Sequence, residues 1–494
     1  MKYDVVIIGS GLGGLECAHI LSRQGRSVLV LERGGQPGGC MQSYPRRSVT
    51  APHGTKPVWY DTGLHYIGGL AEGQALHDCF KQLNLLKLPW QRLDADGFNH
   101  IRIEDRDFRI AEGFDNFIDT LARDFPNERK GLETYVEALK ASLNVTDLES
   151  AISQIDDGAW PFLNRTFHDP LLIDVLSATA QNMELRKQSL PLFVFTHANA
   201  SYIQSSWRLK GDGNMLVHSL INDIRHYGGE VICHADVEEL IERDGQLVAA
   251  RCTNGEIYEG NYFISNTHPI ITCNLLRNSK LIRPFYRKRV TTAENTNGIL
   301  TVSLRLKPST LRYFNYNQFV YKQRDVWEPV QVRDNGTLSI KGLMINCRAP
   351  ETGEWTEVID LLTTMPWQCC EPWSETEVGH RGEDYLKMKE QLADKCIAIA
   401  EELLPGLRNM VAECYVSTPL TYRDYTLTPE GSAFGIRKDY HYPLLCMIPT
   451  YTSISNLLQT GQNLIMHGVE GVTKTAFRTC DLLVKKEELS SQNH

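Results

Sequence analysis

The sequence predicts an α/β fold that starts with a strand, a glycine-rich turn, a helix and a second strand. The short apolar run DVVII at 4–8 is typical of a buried parallel strand. The turn GSGLGG at 9–14 follows and has the spacing GxGxxG, and a helix pattern then runs from Gly13 to Gln24. The second strand, SVLVLE at 27–32, ends in an acidic residue. This order predicts a Rossmann-type dinucleotide-binding domain.

Each residue of the turn has a physical role in holding a dinucleotide. Gly9 permits the tight turn, Gly11 lets the backbone approach a pyrophosphate, and Gly14 lets the helix pack on the strand. Leu12 and Gly13 lie at the start of the helix, where free N–H groups and the positive end of the dipole favour phosphate. The turn is therefore the predicted phosphate site.

The residues after the second strand distinguish between possible dinucleotides. Glu32 can accept hydrogen bonds from adenosine ribose hydroxyls, and an acid there disfavours the 2′-phosphate of NADP. The segment RGGQPGGC at 33–40 begins with Arg33 and brings a second glycine pair, Gly38 and Gly39, where a nicotinamide domain would normally continue into a helix. Those glycines indicate a second close approach of backbone and ligand, which favours FAD over NAD.

Four stretches spread along the chain carry further motifs: VVIIGSGLGG…GGQPGG at 5–39, YDTGLHYIGGL at 60–70, SSWRLKGDGN…VEELI at 205–241 and NLLQTGQ…RTCDLL at 456–483. They resemble the FAD-dependent family that contains phytoene desaturase, carotenoid isomerase and retinol saturase, and DTGxHYIG is most similar to retinol saturase. Amine oxidases and Rab GDP-dissociation inhibitors share the wider fold. The resemblance implies a glutathione-reductase-like FAD-binding domain into which a mixed α+β substrate domain is inserted.

The resemblance also implies cofactor contacts outside the first motif. Val237 would bring a backbone position against the adenine, and Gly461 would let Gln462 approach the pyrophosphate or ribityl chain. The start of the last helix would point N–H groups at the flavin ring, where negative charge develops on reduction. That helix start is expected at Gly471, Val472 and Thr473.

One position departs from the family pattern. Many relatives carry an arginine after the second glycine pair, whereas this chain has Cys40. No phosphate or ring contact of that arginine can be carried over, and Cys40 is expected to be a small neutral filler near the cofactor.

Candidate proton donors follow from the same motifs. His65 and Tyr66 lie in DTGLHYIGG, near the expected flavin edge, and Glu470 directly precedes the expected last helix. His65 and Tyr66 are each interpreted as an acid or a substrate contact, with a structural hydrogen-bonding role as the alternative for His65. Glu470 is interpreted either as an acid of raised pKa next to the ring or as a residue that complements the helix dipole. Arg208 and Lys210 are read either as phosphate contacts or as solvated charge.

The motifs divide the chain into two discontinuous domains. The FAD-binding domain is expected at 1–70, 202–269 and 457–485, and the substrate-binding domain at 71–201 and 270–456. The second insertion alternates as a strand in GILTVSLRLKP at 298–308 and has a helical pattern at 385–407. A ligand site is expected where the two domains meet.

Composition excludes several classes of function. With a net charge of −9 and a pI near 6.0, the chain lacks the basic excess of a nucleic-acid-binding protein. Its 13 cysteines are irregularly spaced, which predicts neither a disulfide framework nor a metal site. No signal peptide or membrane-spanning run is recognised, so we expect a cytoplasmic protein, with peripheral membrane contact as a further possibility.

The resemblance implies an FAD-dependent oxidoreductase that acts on carbon–carbon double bonds of a polyene or isoprenoid lipid, by a retinol saturase-like reduction. Such a reduction needs a hydride from the flavin and a proton from elsewhere. NAD(P)H is a candidate reductant, although the sequence has no second dinucleotide fingerprint. Desaturation and isomerisation remain alternatives, followed by an amine oxidase and by a non-catalytic lipid carrier on the same fold.

Overall fold

Two seven-stranded β-sheets form the framework of the protein. The computed structural model describes residues 2–47, 57–145, 155–179, 182–333 and 337–492. The other parts of the two expected domains lie outside the described residues, namely Met1, 48–56, 146–154, 180–181 and 334–336.

The strands and helices are defined here in chain order. The strands are β1 (Lys2–Ile8), β2 (Val28–Leu31), β3 (Ser43–Arg46), β4 (Val58–Asp61), β5 (Ile67–Gly68), β6 (Trp90–Arg92), β7 (Asn99–Ile103), β8 (Arg106–Ile110), β9 (Ser206–Leu209), β10 (Glu230–Ile232), β11 (Val237–Arg243), β12 (Gln246–Cys252), β13 (Ile257–Ser265), β14 (Gly298–Leu306), β15 (Asn317–Tyr321), β16 (Val330–Val332), β17 (Leu338–Ile340), β18 (Gly342–Cys347), β19 (Val358–Met365), β20 (Val411–Ser417) and β21 (Leu457–Gln459). The helices are α1 (Leu12–Arg23), α2 (Ala75–Gln82), α3 (Phe114–Asp124), α4 (Arg129–Leu143), α5 (Ala159–Thr166), α6 (Pro170–Ser177), α7 (Leu192–Gln204), α8 (Asn214–His226), α9 (Pro269–Leu275), α10 (Pro284–Thr291), α11 (Glu383–Ala400), α12 (Leu407–Met410), α13 (Pro419–Thr426), α14 (Pro443–Cys446) and α15 (Gly468–Gln492).

The first sheet has the strand order β10-β2-β1-β13-β12-β11, and β21 pairs with the end of β13. β10, β2, β1, β13 and β21 run parallel, whereas β11 and β12 form an antiparallel extension. The carboxyl ends of the parallel strands therefore meet at one edge of the sheet, where open α/β sheets bind their ligands. This arrangement confirms the predicted α/β fold.

The second sheet has the order β20-β14-β19-β18-β15-β7-β8 and is mostly antiparallel. Its central strands alternate strictly between two faces. Leu300, Leu343 and Leu361 lie on the face that packs against α11. The opposite face, which carries Met344 and Leu362, is turned towards the first sheet and contributes to a cavity. A mixed α/β layer thus closes the ligand edge of the first sheet.

Two predicted elements in this part are confirmed with adjusted ends. The strand expected at 298–308 is β14, which ends at Leu306. The helix pattern expected at 385–407 is α11, which ends at Ala400, and the short α12 follows Gly406, whose φ of +79° is left-handed. The helix therefore ends before Pro405 and Gly406, the residues at which the sequence predicts its end.

Asp61 connects the sheets at the end of β4. Its carboxylate accepts hydrogen bonds from the Ser43 hydroxyl at 2.7 Å, the Gly213 N–H at 2.8 Å and the Arg348 guanidinium at 2.7 Å. Arg348 directly follows β18 of the second sheet, and Gly213 precedes α8 against the first. Because a buried charge is stable only when it is paired and hydrogen-bonded, these contacts fix the two layers relative to each other.

A second connection joins two helices, since α1 packs against α15. The Thr473 hydroxyl on α15 donates to the Glu16 carboxyl on α1 at 2.7 Å. Glu16 is fully buried, and this burial raises its pKa to about 8, despite the hydrogen bond, which acts in the opposite direction. At neutral pH the folded chain therefore favours the protonated, uncharged side chain.

The pKa of Glu16 makes stability depend on pH in a defined direction. Between pH 4.5 and about 8 the folded state keeps a proton that the unfolded state has lost, so stability falls as pH rises through this window. We expect Glu16→Gln to remove the dependence and to stabilise the protein at pH 8 by up to about 5 kcal/mol. Urea unfolding midpoints of both proteins between pH 5 and 8 measure the effect, with the exposed Glu137→Gln as control. Parallel pH profiles of wild type and Glu16→Gln would contradict the assignment.

Candidate cofactor and substrate site

A cavity of about 380 Å³ lies between the ligand edge of the first sheet and the inner face of the second. This volume falls within the range of small-molecule sites in proteins. At one end the cavity is lined by the ends of β1 and β2, the turn 9–13 and Val237. At the other end it reaches the second sheet and the start of α15. The two ends differ in chemistry.

Glu32 organises the first end. One carboxylate oxygen accepts hydrogen bonds from the Ser10 N–H at 3.1 Å and the Ser10 hydroxyl at 2.5 Å, and the other accepts from the Gly34 N–H at 2.7 Å. The Ser10 hydroxyl in turn accepts from the Gly38 N–H at 3.1 Å. This chain of bonds ties the two glycine segments together. Ser10 occupies a variable position of GxGxxG, so the motif gave no reason to single it out.

The glycine turn leaves room for a ligand and none for side chains. A Cβ on Gly14 would lie 2.2 Å from the Gly9 carbonyl oxygen, and a Cβ on Gly11 would lie 2.9 Å from the Asn266 amide nitrogen. Gly11 also precedes α1 without a side-chain cap, so the first helical N–H groups face no side-chain acceptor. The buried Thr460 hydroxyl beside Gly13 has no hydrogen-bond partner among the described residues. A bare turn and an unpartnered hydroxyl fit a bound pyrophosphate.

The structure brings most of the predicted cofactor residues to this one cavity. Its lining includes Gly9, Gly11, Leu12, Gly13, Glu32, Arg33, Gly39, Val237, Gly461, Gln462 and Val472. Arg33 is held by a hydrogen bond to the Asp424 carbonyl oxygen at 2.8 Å.

Four predicted cofactor residues lie behind the lining. Gly14 packs beneath Gly9, and a Cβ on Gly38 would meet Val217 at 2.8 Å, so both support the turn from outside. The last helix starts at Gly468, earlier than the expected 471–473, because a φ of +77° at Gly468 turns the chain into the helix there. Gly471 consequently packs on Met466, and the Thr473 hydroxyl points to Glu16.

The second sheet presents a polar row to the cavity region. Ser303, Asp360 and Asn346 are directly opposite one another on three adjacent strands. The Ser303 hydroxyl donates to the Asp360 carboxylate at 2.5 Å. His65, which lines the cavity, places its Nδ1 3.9 Å from Asp360 and 3.4 Å from the Asn346 amide nitrogen. The sequence did not suggest these partners, because they lie almost 300 residues from His65.

Burial shapes the protonation of this pair. Burial lowers the pKa of His65, although the Asp360 and Asp61 carboxylates act in the opposite direction. Burial also raises the pKa of Asp360, against the effects of His65 and Arg348. His65 is thus held as a neutral imidazole whose protonated form would be stabilised by the carboxylate behind it.

Tyr66 also lines the cavity. Its hydroxyl accepts a hydrogen bond from the Asn182 amide at 2.5 Å, and its ring packs on Tyr202 with centroids 4.5 Å apart. Burial raises the pKa of Tyr66 to about 12, so the phenol stays protonated at neutral pH. His467 favours its neutral form as well, because burial lowers its pKa to about 4 against the opposite effect of the hydrogen bond that its Nε2 donates to the Asn182 carbonyl oxygen.

Three predicted polar residues lie away from the main cavity. Glu470 forms an ion pair with Lys474 at 2.6 Å and borders a separate cavity of about 50 Å³ beneath the helix start. Arg208 is buried and donates to Asn317 at 2.7 Å and Tyr313 at 3.0 Å, so it links β9 to the second sheet and does not line the cavity. Lys210 is exposed to solvent outside the cavity lining.

The second end of the cavity is apolar. Ile299, Met344 and Leu362 come from the second sheet, while Phe434 and Tyr422 close the wall. This surface favours a hydrophobic ligand. The sequence did not identify these residues, since apolar side chains in strands are usually core.

Cys40 joins the two ends of the cavity. Its side chain is exposed to the cavity, and the surrounding protein raises the pKa of the thiol to about 11. It is therefore a small neutral group at neutral pH.

The described residues lack two further features. They hold no cluster of histidine, cysteine and acidic side chains that could bind a metal ion. Within the same ranges, no helix combines the length and apolarity needed to cross a bilayer.

Comparisons with known proteins agree with this geometry. Residues 7–83 match the family described as an NAD(P)-binding Rossmann-like domain. The chain is 24% identical to all-trans-retinol 13,14-reductase of Danio rerio, over 98% of this chain and 86% of the relative. It is also 24% identical to the chloroplastic prolycopene isomerase of Daucus carota, over 96% of this chain and 78% of the relative.

A solved structure shows the same fold over nearly the whole chain. Cyclohexylamine oxidase from Brevibacterium oxydans superposes with a TM-score of 0.63 at 13% identity, covering 99% of this chain and 100% of the other. The comparisons confirm the predicted Rossmann-type fold and the family resemblance seen in the four motifs.

The role of Glu32 can be tested directly. Glu32→Gln loses the charge that accepts two hydrogen bonds from Ser10 and one from Gly34, so we expect the affinity for a dinucleotide to fall about 10- to 100-fold. Nucleotide released by denaturation after gel filtration, quantified per chain, measures the loss. Glu230→Gln on the neighbouring strand β10 is the matched control, because its carboxyl contacts only Tyr3 among the hydrogen bonds of the described residues. Equal nucleotide content in Glu32→Gln and wild type would refute the assignment.

Proposed function

We propose that the chain belongs to the same family as the retinol reductases and prolycopene isomerases to which it is similar, and that it reduces a carbon–carbon double bond of a conjugated isoprenoid lipid, with FAD as cofactor. The observation that carries the proposal is the two-ended cavity. A glycine-lined, hydrogen-bonding end is continuous with an apolar end that holds one histidine backed by a carboxylate.

FAD fits the cavity better than a nicotinamide dinucleotide alone. Gly11 and Glu32 would hold the adenosine diphosphate half, and Val237 would contact the adenine. The lining then continues past the second glycine pair to Gly461 and Val472, as an extended cofactor requires. When bound, the flavin supplies the hydride chemistry, and the chain contributes orientation, a proton and exclusion of water.

The first turn of α15 would complement the cofactor electrostatically. Gly468, Val469 and Val472 line the cavity at the start of this long helix. The positive end of its dipole favours negative charge nearby. We propose that these residues stabilise the reduced cofactor, in place of the 471–473 start that the sequence suggested.

His65 is the proton donor that we propose. Saturating a double bond requires one proton in addition to a hydride, and His65 is a titratable side chain in the cavity wall next to the apolar residues. Asp360 does not line the cavity; it lies behind His65 and is a positioning residue that favours the protonated imidazole. Tyr66 remains a second candidate for orienting the substrate, since its hydroxyl proton is not used by Asn182.

NAD(P)H is the reductant that we propose for the complete cycle. The chain has one dinucleotide fingerprint, which is assigned to FAD, so the nicotinamide would bind only transiently.

We also propose peripheral membrane contact, because an isoprenoid lipid resides in membranes.

Isomerisation is the second candidate. The similarity to a prolycopene isomerase favours it, since that reaction would use the same apolar end without net electron transfer. A non-catalytic lipid carrier is disfavoured, because it would have no use for the hydrogen-bonded Glu32 and Ser10 turn.

Product analysis tests the reaction type. We expect yellow holoprotein that, under anaerobic conditions with dithionite or NADPH and all-trans-retinol as the test polyene, forms a product heavier by two hydrogens and absorbing at shorter wavelength. An unchanged mass with a spectral shift would replace reduction by isomerisation. Loss of two hydrogens would replace it by desaturation, and colourless protein that cannot be reconstituted with FAD would support a carrier.

The His65 and Asp360 pair predicts a pH signature. If protonated His65 is the acid, kcat/KM falls as pH rises through the pKa of His65. Asp360→Asn removes the charge that favours protonation of His65, so we expect the descending limb of the pH profile of kcat/KM to move to lower pH. Activity at neutral pH should then fall about tenfold for each pH unit of this shift. We expect His65→Gln to lower kcat/KM about 10²- to 10⁴-fold and to show no descending limb at this pKa.

A buried acid elsewhere provides the control for this experiment. Asp174 is also buried with a raised pKa, but it bonds to Arg324 away from the cavity. Asp174→Asn should leave the position of the limb unchanged. An unshifted limb in Asp360→Asn, with FAD content retained, would remove Asp360 from the mechanism.

A further inference from the structure

An unusual charge pattern marks one surface of the protein. Residues 260–293 contain six lysines and arginines and no acidic residue, in a chain whose net charge is −9. Residues 440–469 contain no charged side chain of Asp, Glu, Lys or Arg. The structure places these two segments side by side, since Arg289 on α10 donates to the Leu445 carbonyl oxygen at 3.1 Å and Ser453 donates to the Leu281 carbonyl oxygen at 2.6 Å.

Large apolar side chains project from the same surface. Phe285 on α10 is 70% exposed and Leu444 on α14 is 65% exposed. Tyr442, Leu445 and Tyr451 are exposed as well. A contiguous group of exposed hydrophobic side chains on a globular protein marks an interaction site. We call this group, together with the cations of 277–288, the α10–α14 surface.

The cations of this surface are free to meet an external anion. Arg277, Lys280, Arg283 and Lys288 are exposed, and no ion pair is found for them within the described residues. Arg287 and Arg289 instead donate to backbone carbonyl oxygens, which fixes α10 in place. Exposed phenyl, tyrosine and leucine side chains surrounded by lysine and arginine match the chemistry of an anionic bilayer surface, with its apolar interior and negative headgroups.

We propose that the α10–α14 surface docks this protein onto membranes that contain anionic lipid. Phe285, Leu444 and Leu445 would insert at the headgroup boundary, and the four exposed cations would contact lipid phosphates and carboxylates. A protein partner would explain the apolar side chains, but the four exposed cations beside them, for which no ion pair is found within the described residues, favour a negatively charged surface.

The surface lies one helix away from the cavity. Ile271 and Leu275 on α9 line the cavity, and Arg287 on α10 donates to the carbonyl oxygens of Cys273 and Leu276 at the end of α9, both at 2.9 Å. Resting on the proposed function, this proximity would let an isoprenoid substrate exchange between bilayer and cavity with little exposure to water.

Hydrogen bonds from a buried lysine also fix α14 of this surface to the protein. The buried Lys438 ammonium donates to the carbonyl oxygens of Cys446, Asn463 and Leu464, at 2.8 to 3.0 Å. Cys446 ends α14, whereas Asn463 lines the cavity. Lys438 therefore fixes the end of α14, which carries Leu444 and Leu445, to the chain at 463–464.

Vesicle sedimentation tests the docking surface without any substrate. We expect holoprotein to sediment with vesicles of phosphatidylcholine that contain about one-third phosphatidylserine, less with phosphatidylcholine alone, and less at high salt. Leu444→Ser with Leu445→Ser should lower binding at least tenfold in all conditions. Lys280→Gln with Arg283→Gln and Lys288→Gln should abolish only the preference for phosphatidylserine.

Leu386→Ser is the matched control, because Leu386 is equally exposed on α11 of the substrate domain and away from this surface. Its binding should equal that of wild type. FAD content and turnover of a detergent-dispersed polyene are measured in parallel, so that a failure of the enzymatic proposal is seen separately. The proposal would be overturned if wild type did not sediment with phosphatidylserine vesicles, or if Leu386→Ser lost as much vesicle binding as the double serine variant. Self-association that the double serine variant abolishes, without vesicle binding, would identify the surface as a contact between copies.

Discussion

The hydrogen bonds of the Glu32 carboxylate are the interaction on which the cofactor end of the cavity depends. Glu32 follows β2 and accepts from Ser10 in the turn after β1, and the Ser10 hydroxyl accepts from Gly38 in the next loop, so the carboxylate and Ser10 together link three pieces of chain. Because Ser10 and Gly34 already satisfy part of its acceptor capacity, the charge is stabilised before any ligand binds. The turn is consequently preorganised, and a ligand does not have to order it.

The second sheet gives the other end of the cavity its chemistry through simple alternation. Along each strand, alternate side chains pack on α11, and the side chains between them face the cavity side. Asp360 and Leu362 therefore share the cavity face, whereas Leu361 lies on the other face. Register then aligns Ser303, Asp360 and Asn346 in one row. A one-residue slip in β19 would bury Leu361 behind His65 and turn the carboxylate towards α11. The polarity of the site is therefore a consequence of strand register.

Local sequence was sufficient for the first motif and insufficient for the chemistry around His65. Gly9, Gly11 and Glu32 are close in sequence and constrained by backbone geometry, so their position at the cavity follows from spacing alone. Asp360 lies beside His65 and Arg348 pairs with Asp61, although nearly 300 residues separate the members of each pair in sequence. Only the pairing of strands brings them together. Helix ends show the same limit: a glycine at 468 starts α15 early, which moves Thr473 from the cavity to Glu16. Arg208 could not be distinguished from a phosphate ligand, because its partner Asn317 lies in the other layer.

The charges around the cavity bear on the kind of substrate it can accept. Glu32, Arg33 and Asp236 are the acidic and guanidinium groups among its described lining residues, and all three belong to the cofactor end. At the apolar end, burial lowers the pKa of His65 and His467 and raises that of Tyr66, so each of these groups favours its neutral form. An ammonium substrate placed there would lose its hydration without gaining a carboxylate partner, because Asp360 is behind His65 and already accepts from Ser303. An uncharged hydrocarbon chain carries no such penalty, and it would leave His65 free to supply the proton that we propose. The fold of an amine oxidase is thus combined here with an electrostatic environment that suits a polyene.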